Sequence, residues 1–280
     1  MYRIVERKQL NPTVVAMKID APAVAKKAEP GQFVILRADD AGERIPLTVA
    51  DYDRAAGTVT VIFQVVGATT ERLAHLSVGD ALHDFVGPLG RATETEGLER
   101  VAIVSGGVGS AIAYPVAKKL SSLGCCVHSI VGFRSRDLVI LEEEFDAVSD
   151  RLIRMSDDGT WGERGLVTDA LRQLIESGEK YDRVITIGPL PMMKFVSLLT
   201  REYGIPTVAS MNPVMIDGTG MCGGCRLLVG GEMRFACVDG PEFDAHLVDF
   251  DDAIRRSSMY RDFEKREREE ACNLFSKEVE

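Results

Sequence analysis

Over residues 1–98, hydrophobic and polar positions alternate in short runs, the period of half-buried strands. Tyr2–Arg7, Thr13–Ile19, Phe33–Arg37, Ile45–Ala50, Thr58–Val66 and Ala81–Val86 each read as a strand. Turn pairs such as Asn11-Pro12, Pro30-Gly31, Ala56-Gly57 and Gly79-Asp80 separate them. One short helix fits Thr70–Leu76. Short strands at this spacing predict a small antiparallel β-barrel.

The pattern changes at Arg100. Apolar runs at Val101–Ser105, Val127–Phe133, Arg151–Met155, Arg183–Ile187 and Thr207–Ser210 alternate with helical periodicity at Ala111–Leu123, Leu138–Val148, Leu166–Ser177 and Met192–Tyr203. Strand–helix alternation predicts a doubly wound parallel sheet, with a ligand site at the carboxyl ends of its strands. After Met211 the pattern dissolves into loops and one hairpin, Arg226–Val229 and Glu232–Ala236 around Gly230-Gly231. A charged helix is expected from Phe250 to Glu270, with little apolar face. The expected division is 1–98 barrel, 99–211 α/β nucleotide domain and 212–280 a C-terminal loop-and-helix segment.

The 280 residues suffice for two domains and a sizeable core. A net charge of −10, with basic residues scattered along most of the chain, argues against a nucleic-acid partner. No apolar run is long enough for a membrane span, and Met1-Tyr-Arg-Ile-Val-Glu-Arg-Lys has no apolar signal core, so a reducing cytoplasm is expected. Cys125, Cys126 and Cys272 read as structural or incidental.

The other three cysteines fall in one pattern, Asp217-x4-Cys222-x2-Cys225-x11-Cys237. With cysteine at 217, its first three positions would be the C-x4-C-x2-C run of plant-type 2Fe–2S proteins. Gly218, Gly220, Gly223 and Gly224 allow a tight backbone around a small inorganic core. The hairpin returns Cys237 to Cys225. A zinc site is the alternative, although it usually pairs two C-x-x-C or Cys/His spacings and no His lies between Asp217 and Cys237. Free thiols are the other.

Ser105-Gly106-Gly107-Val108-Gly109-Ser110 joins a strand to a helix, where glycines and a helix N-terminus suit a pyrophosphate; an ordinary glycine-rich turn would look the same. Gly188-Pro189 occupies the equivalent turn after the fourth strand of this half. Gly132, with Arg134 and Arg136, follows the second strand, and Asp157-Asp158-Gly159 the third. The arginines read equally as phosphate contacts or surface charge, and the Asp-Asp-Gly as a site or a plain turn. In the barrel half, Arg44-Ile-Pro-Leu-Thr48 and Val65-Val-Gly67-Ala-Thr69-Thr70 are candidates. Thr48 offers a hydroxyl to a redox-active ring, and the helix near Thr69 offers N–H groups to a phosphate.

Barrel, nucleotide domain and C-terminal cysteine loop together resemble the electron-transfer subunit of dihydroorotate dehydrogenase B, a branch of the ferredoxin–NADP reductase superfamily. Asp217-Gly-Thr-Gly-Met-Cys-Gly-Gly-Cys225 and Phe235-Ala-Cys-Val-Asp-Gly-Pro-Glu-Phe-Asp-Ala-His-Leu-Val-Asp249 carry the specific likeness. Within that family, the aspartate at 217 resembles the small subunits of NADH-dependent reduced ferredoxin:NADP oxidoreductases, also called sulfide dehydrogenases. The resemblance implies FAD on Pro46, Leu47, Thr48, Ile62, Phe63, Gln64, Thr69 and Thr70, with Gly67 of the neighbouring motif a further cofactor candidate. It implies NAD(H) or NADP(H) on Gly106, Gly107, Val108, Gly109, Ser110, Gly188 and Pro189. It further implies a 2Fe–2S cluster on Asp217, Cys222, Cys225 and Cys237, and a larger flavin and 4Fe–4S subunit as heterodimer partner, where electron bifurcation would occur. No acid–base or nucleophilic catalyst is implied. Dihydroorotate oxidation, a hydrogenase or a sulfur reductase are other outlets for such a subunit; a redox-sensing nucleotide-binding regulator is the non-enzymatic alternative. One motif departs: the superfamily places its flavin arginine three residues before the hydroxyl, where this chain has Ile45. Arg44 lies four before Thr48, on the opposite face of a strand unless a bulge intervenes.

Overall fold

The computed structural model describes residues 2–40, 42–259 and 263. Seven strands, β1 (Tyr2–Asn11), β2 (Val14–Asp20), β3 (Phe33–Arg37), β4 (Ile45–Asp53), β5 (Thr58–Gln64), β6 (Ala81–Leu82) and β7 (Asp84–Leu89), form one antiparallel sheet in the order β6-β1-β2-β5-β4-β3-β7. The strand expected at Ala81–Val86 is therefore two strands. His83 is the corner that sends β6 to one end of the sheet and β7 to the other, as a nearly closed barrel requires. Val15, Met17, Ile19, Val59, Val61, Phe63 and Phe85 alternate inward to fill the barrel. Helix α1 (Pro22–Ala25) and helix α2 (Ala68–His75) cover its openings, α2 through buried Leu73.

The second sheet is doubly wound. Its strands are β8 (Arg100–Gly106), β9 (Cys126–Phe133), β10 (Arg151–Ser156), β11 (Glu163–Arg164), β12 (Arg183–Ile187), β13 (Thr207–Ser210) and, beyond the hairpin, β16 (Glu242–Asp244). Spatial order is β11-β10-β9-β8-β12-β13-β16, all parallel except β16, which runs antiparallel to β13. Helices α3 (Gly109–Ser122), α4 (Glu142–Val148), α5 (Val167–Glu176) and α6 (Leu190–Glu202) connect the strands. The residues of β8 from Val101 to Gly106 are all buried, which is why that run is apolar without alternation. Successive strands are added on one side of β8 as far as β11 and on its other side from β12, so the topological switch point opens between β8 and its neighbours there.

The C-terminal segment is stitched to both halves. Hairpin β14 (Arg226–Val229) and β15 (Glu232–Phe235) turns on Gly230 and Gly231, whose φ angles of 60° and 79° fit a two-residue turn. Cys225, Cys237 and Leu227 share a core with Phe33 and Ile35 of the barrel and Met193 and Ala209 of the α/β half. The segment also supplies β16, an element that a three-residue strand without periodicity did not announce. Helix α7 (Phe250–Ser257) corrects the expectation of a helix with little apolar face: Phe250 and Ala253 are buried. The helix ends at Ser257, with Ser258 and Met259 in a turn; of the expected continuation to Glu270, residues 260–262 and 264–270 lie outside the described residues, as does Cys272.

Candidate functional site

One large cleft, about 910 Å³, opens where the barrel meets the switch point of the doubly wound sheet. From the barrel, Pro46, Leu47, Thr48, Ile62, Phe63, Gln64 and Thr70 line it. From the α/β half come Gly106, Gly107, Val108, Gly109, Gly132, Arg134, Asp157, Gly188 and Pro189. Two sets of candidates more than a hundred residues apart in places thus face one space.

The glycine turns make its floor. A Cβ on Gly109 would sit 2.5 Å from the Ile187 carbonyl oxygen, and one on Gly188 would sit 3.1 Å from the Gly106 nitrogen. Only bare backbone lets the ends of β8 and β12 lie so close. Gly107 is different: its φ is +56° and a Cβ there would meet nothing within 4 Å. Its N–H donates to the Gly132 carbonyl at 2.9 Å. An open left-handed glycine at the mouth of a long helix leaves room for a phosphate-sized group. Ser110 instead turns inward, its fully buried hydroxyl 3.1 Å from that of Ser105, and so locks the turn without lining the cleft.

Several other candidates also lie off the cleft wall. Gly67 caps α2 with open space where a Cβ would be. Thr70 does line the cleft, but its hydroxyl accepts the N–H groups of Val66 and Gly67, both at 3.0 Å, and so organises that turn. Thr69 donates to Glu43 at 2.9 Å. Asp158 accepts from the Thr160 N–H and hydroxyl, which hold its carboxyl below the usual range; it is a turn residue. Arg44 also fails to reach the cleft. The β3–β4 ladder pairs Ile45 through Thr48 without a bulge, so the face reversal stands. Arg44 Nε donates instead to the Ile216 carbonyl at 3.2 Å, and its guanidinium lies 3.7 Å from Asp84.

Other lining residues carried no motif. Met211, Asn212, Pro213 and Met215 line the cleft, as does Phe195 of α6, 60% exposed. Asn212-Pro213 stands just past the carboxyl end of β13, the place where open α/β sheets put ligand contacts. That position was the available signal. Asn11 lines the same wall and donates to the Leu138 carbonyl at 2.8 Å, tying barrel to α/β half.

The connector that leaves the cleft at Met215 reaches Asp217 two residues later. Gly218, Gly220 and Gly223 take φ angles of 85°, 86° and 68°, conformations in which side chains are strained. Hairpin register returns Cys237 to Cys225: the Cys237 N–H donates to Cys225 Sγ at 3.4 Å, and both residues are 2% exposed. Burial, then the neighbouring Cys225, pushes the Cys237 thiol up to about 12. Cys222 is exposed, its Sγ accepts the Gly224 N–H at 3.5 Å, and the Gly224 and Asp217 N–H groups lower its pKa. The Asp217 carboxylate accepts the Thr219 N–H at 3.0 Å and the Thr219 hydroxyl. Among the described residues, no three His, Cys, Asp or Glu side chains close on a single-ion site. What the fold brings together is a pair of thiols, Cys225 and Cys237, beside a second pair of donors, Cys222 and Asp217, at one loop. Such a two-plus-two donor set suits two metal centres, and a buried thiolate needs a metal charge to offset its burial.

Comparison with known proteins agrees with this layout. A family profile described as the iron-sulfur cluster binding domain of dihydroorotate dehydrogenase B matches residues 212–249. The chain is 45% identical to a homolog of the dihydroorotate dehydrogenase B (NAD(+)) electron transfer subunit from Thermotoga maritima, across 95% of this chain and 93% of that one. It is 51% identical to an uncharacterized Clostridium beijerinckii protein, across 93% and 91% of the two chains. A solved structure of an NADH-dependent reduced ferredoxin-NADP oxidoreductase, described for flavin-based electron bifurcation, superposes with a TM-score of 0.91 at 44% identity, over 96% of this chain and 97% of that one. The ferredoxin reductase of carbazole 1,9a-dioxygenase shares the fold alone, at 18% identity and a TM-score of 0.63 over 73% and 65% of the two chains.

Proposed function

The chain belongs to the family of dihydroorotate dehydrogenase B electron-transfer subunits, and from that premise we propose that it is a flavo-iron–sulfur subunit of an electron-bifurcating, NADH-dependent ferredoxin:NADP oxidoreductase. In this reading FAD takes the barrel side of the cleft, and NAD(H) or NADP(H) takes the glycine turns. A 2Fe–2S cluster takes Asp217, Cys222, Cys225 and Cys237, and a larger flavin and 4Fe–4S subunit receives the electrons. When bound, FAD supplies hydride exchange with a nicotinamide and single-electron exchange with an iron–sulfur centre.

The chain's own residues bind, space and shield. Gly107 and the N-terminus of α3 offer backbone to a pyrophosphate, and Pro46, Leu47 and Ile62 give an apolar wall for a flat ring. Thr48 supplies a hydroxyl at that wall. Met215 and Met211, both nearly buried, exclude water from the end of the cleft nearest the cysteine loop. No general base is needed, because a hydride carries its own electron pair.

One observation carries the reading: the cleft's connector reaches the cysteine loop within two residues, Met215 to Asp217. Short separation is what a one-electron relay between two bound centres needs. The test is the visible and electron paramagnetic resonance spectrum of the purified protein before and after NADH. Flavin bands that bleach, with a reduced-cluster signal appearing, support the reading. Colourless protein, or flavin without a cluster, sinks it. Cys222→Ala, Cys225→Ala and Cys237→Ala abolish the cluster signal in this reading, while Cys125→Ala and Cys126→Ala leave it.

A further inference from the structure

Arg44 carries the strongest feature that the proposed function leaves unused. It stands one residue before β4, whose next residues Ile45, Pro46, Leu47 and Thr48 line the cleft. Its side chain leaves the cleft and crosses to the connector, where Nε donates to the Ile216 carbonyl at 3.2 Å. Ile216 immediately precedes Asp217, so the Arg44 guanidinium is anchored one residue from that carboxylate.

Arg44 is itself held. Its guanidinium lies 3.7 Å from Asp84, which also accepts from Arg37 Nε at 2.9 Å. His83 Nδ1 lies 3.1 Å from the other Asp84 oxygen, and its Nε2 lies 2.7 Å from Asp40. The barrel corner between β6 and β7 thus builds a charged bracket for one arginine. Beside that bracket the connector is pressed onto the barrel. A Cβ on Gly218 would sit 2.8 Å from Leu89 Cδ1 and 2.9 Å from Ile35 Cγ1. The cysteine loop therefore rests on β3 and β7 through backbone contact, with Arg44 as the polar clamp at its start.

We propose that Arg44 is a positioning residue that clamps Ile216 and places a positive charge beside Asp217, setting the register and potential of the iron–sulfur centre from the flavin barrel. This rests on the flavo-iron–sulfur reading above. A fixed cation near a redox centre favours its reduced, more negative state. A hydrogen bond to the residue before the carboxylate fixes the direction from which that carboxylate approaches.

The test is three variants of the full chain with cofactors bound, each read by FAD content, by the cluster's paramagnetic spectrum and by its midpoint potential. Arg44→Ala removes clamp and charge. The expected result is unchanged FAD content, an altered cluster spectrum, and a shift to more negative potential corresponding to about tenfold in the redox equilibrium, which is about 59 mV for one electron. Arg44→Lys keeps the charge and restores most of the potential. Arg44→Gln keeps a neutral donor and restores the spectrum more than the potential. Loss of FAD from Arg44→Ala with an unchanged cluster spectrum overturns the proposal and returns Arg44 to the flavin. An unchanged spectrum and potential in all three variants also overturns it. Wild-type protein without any cluster signal overturns the underlying reading as well, so the two failures are told apart by the wild-type spectrum alone.

Discussion

At the scale of single residues, the two central glycines of the β8–α3 turn serve different ends and separate by substitution. Gly109→Ala forces a Cβ into the Ile187 carbonyl, so it lowers stability in urea unfolding, by about 1–3 kcal/mol as for overpacking. Gly107→Ala meets no atom, and its cost is the left-handed backbone, about 1–2 kcal/mol. A larger side chain there fills the open space, so Gly107→Val weakens nucleotide binding strongly in a fluorescence titration while FAD stays bound. FAD loss with intact nucleotide affinity would reverse the assignment of the two sides of the cleft. Glu242 offers a pH signature. Its carboxyl tip is enclosed between Gly31 and Thr93, whose hydroxyl donates at 2.7 Å, and burial pushes its pKa up to about 7. Arg183 pulls the other way and Glu94 adds to the rise. The folded protein keeps this proton up to about pH 7, whereas the unfolded chain releases it near 4.5. Stability from this group is therefore fully present below about pH 4.5 and is lost as pH rises to about 7. Glu242→Gln flattens that part of the pH–stability curve; an unaltered slope in the variant would assign the dependence to other groups.

At the scale of elements, the sequence was most legible where periodicity and burial agree. β3, β12, β13 and β14 begin and end where their apolar runs do. Legibility failed where the fold overrides local pattern. Helical periodicity from Leu138 is real, but Arg136–Leu138 forms a single tight turn and Leu141 takes a φ of +57°, so α4 starts only at Glu142. Leu138, Val139 and Leu141 pack on the α/β core from outside α4. β16 shows no pattern because its identity comes from its neighbour, the open edge of β13. In the site, the cysteine spacing was legible because it is local, and Arg44 was flagged by its register. Its true partner, Ile216, lies 172 positions away and no spacing rule reaches it. Helix α7 shows the same limit: among its charges, Phe250 and Ala253 fall three apart on one face and enter the core shared with Cys225 and Cys237. Phe250→Ala should therefore cost about 3–5 kcal/mol and release the cluster before FAD during urea titration. Simultaneous loss of both would show that α7 supports the whole molecule. Any C-terminal truncation meant to probe a partner must spare α7 and start after Ser258.

At the scale of the whole molecule, the cleft proposed for the nucleotide opens between the two halves, and the cysteine loop that its connector reaches presents Cys222 to solvent. Cys225 and Cys237 are sealed, but Cys222 is exposed, so the proposed outlet for electrons is at Cys222. Alongside Asp217 and Arg226, whose Nη1 donates to the Gly223 carbonyl at 3.2 Å, its surroundings include exposed apolar side chains. Met221 is 87% exposed, Ile216 55% and Val214 47%; the Ile216 side chain and the Val214 carbonyl approach Gly224 on the Cys222 turn. Val238 closes the other side against Gly220. A collar of exposed apolar side chains around a redox outlet is a liability in water and an asset in a complex, where it expels solvent and lets two centres come within tunnelling range. The proposed larger subunit is the occupant that this outlet requires. Met221→Asp places a charge at the collar's most exposed point without touching the buried thiols. It should leave FAD content, the cluster spectrum and NADH-linked dye reduction intact while raising the Kd for the larger subunit about tenfold, or about 1.4 kcal/mol, by calorimetry. If association is undiminished while the variant keeps its cluster, the partner does not dock on the collar, and the electrons leave by another face.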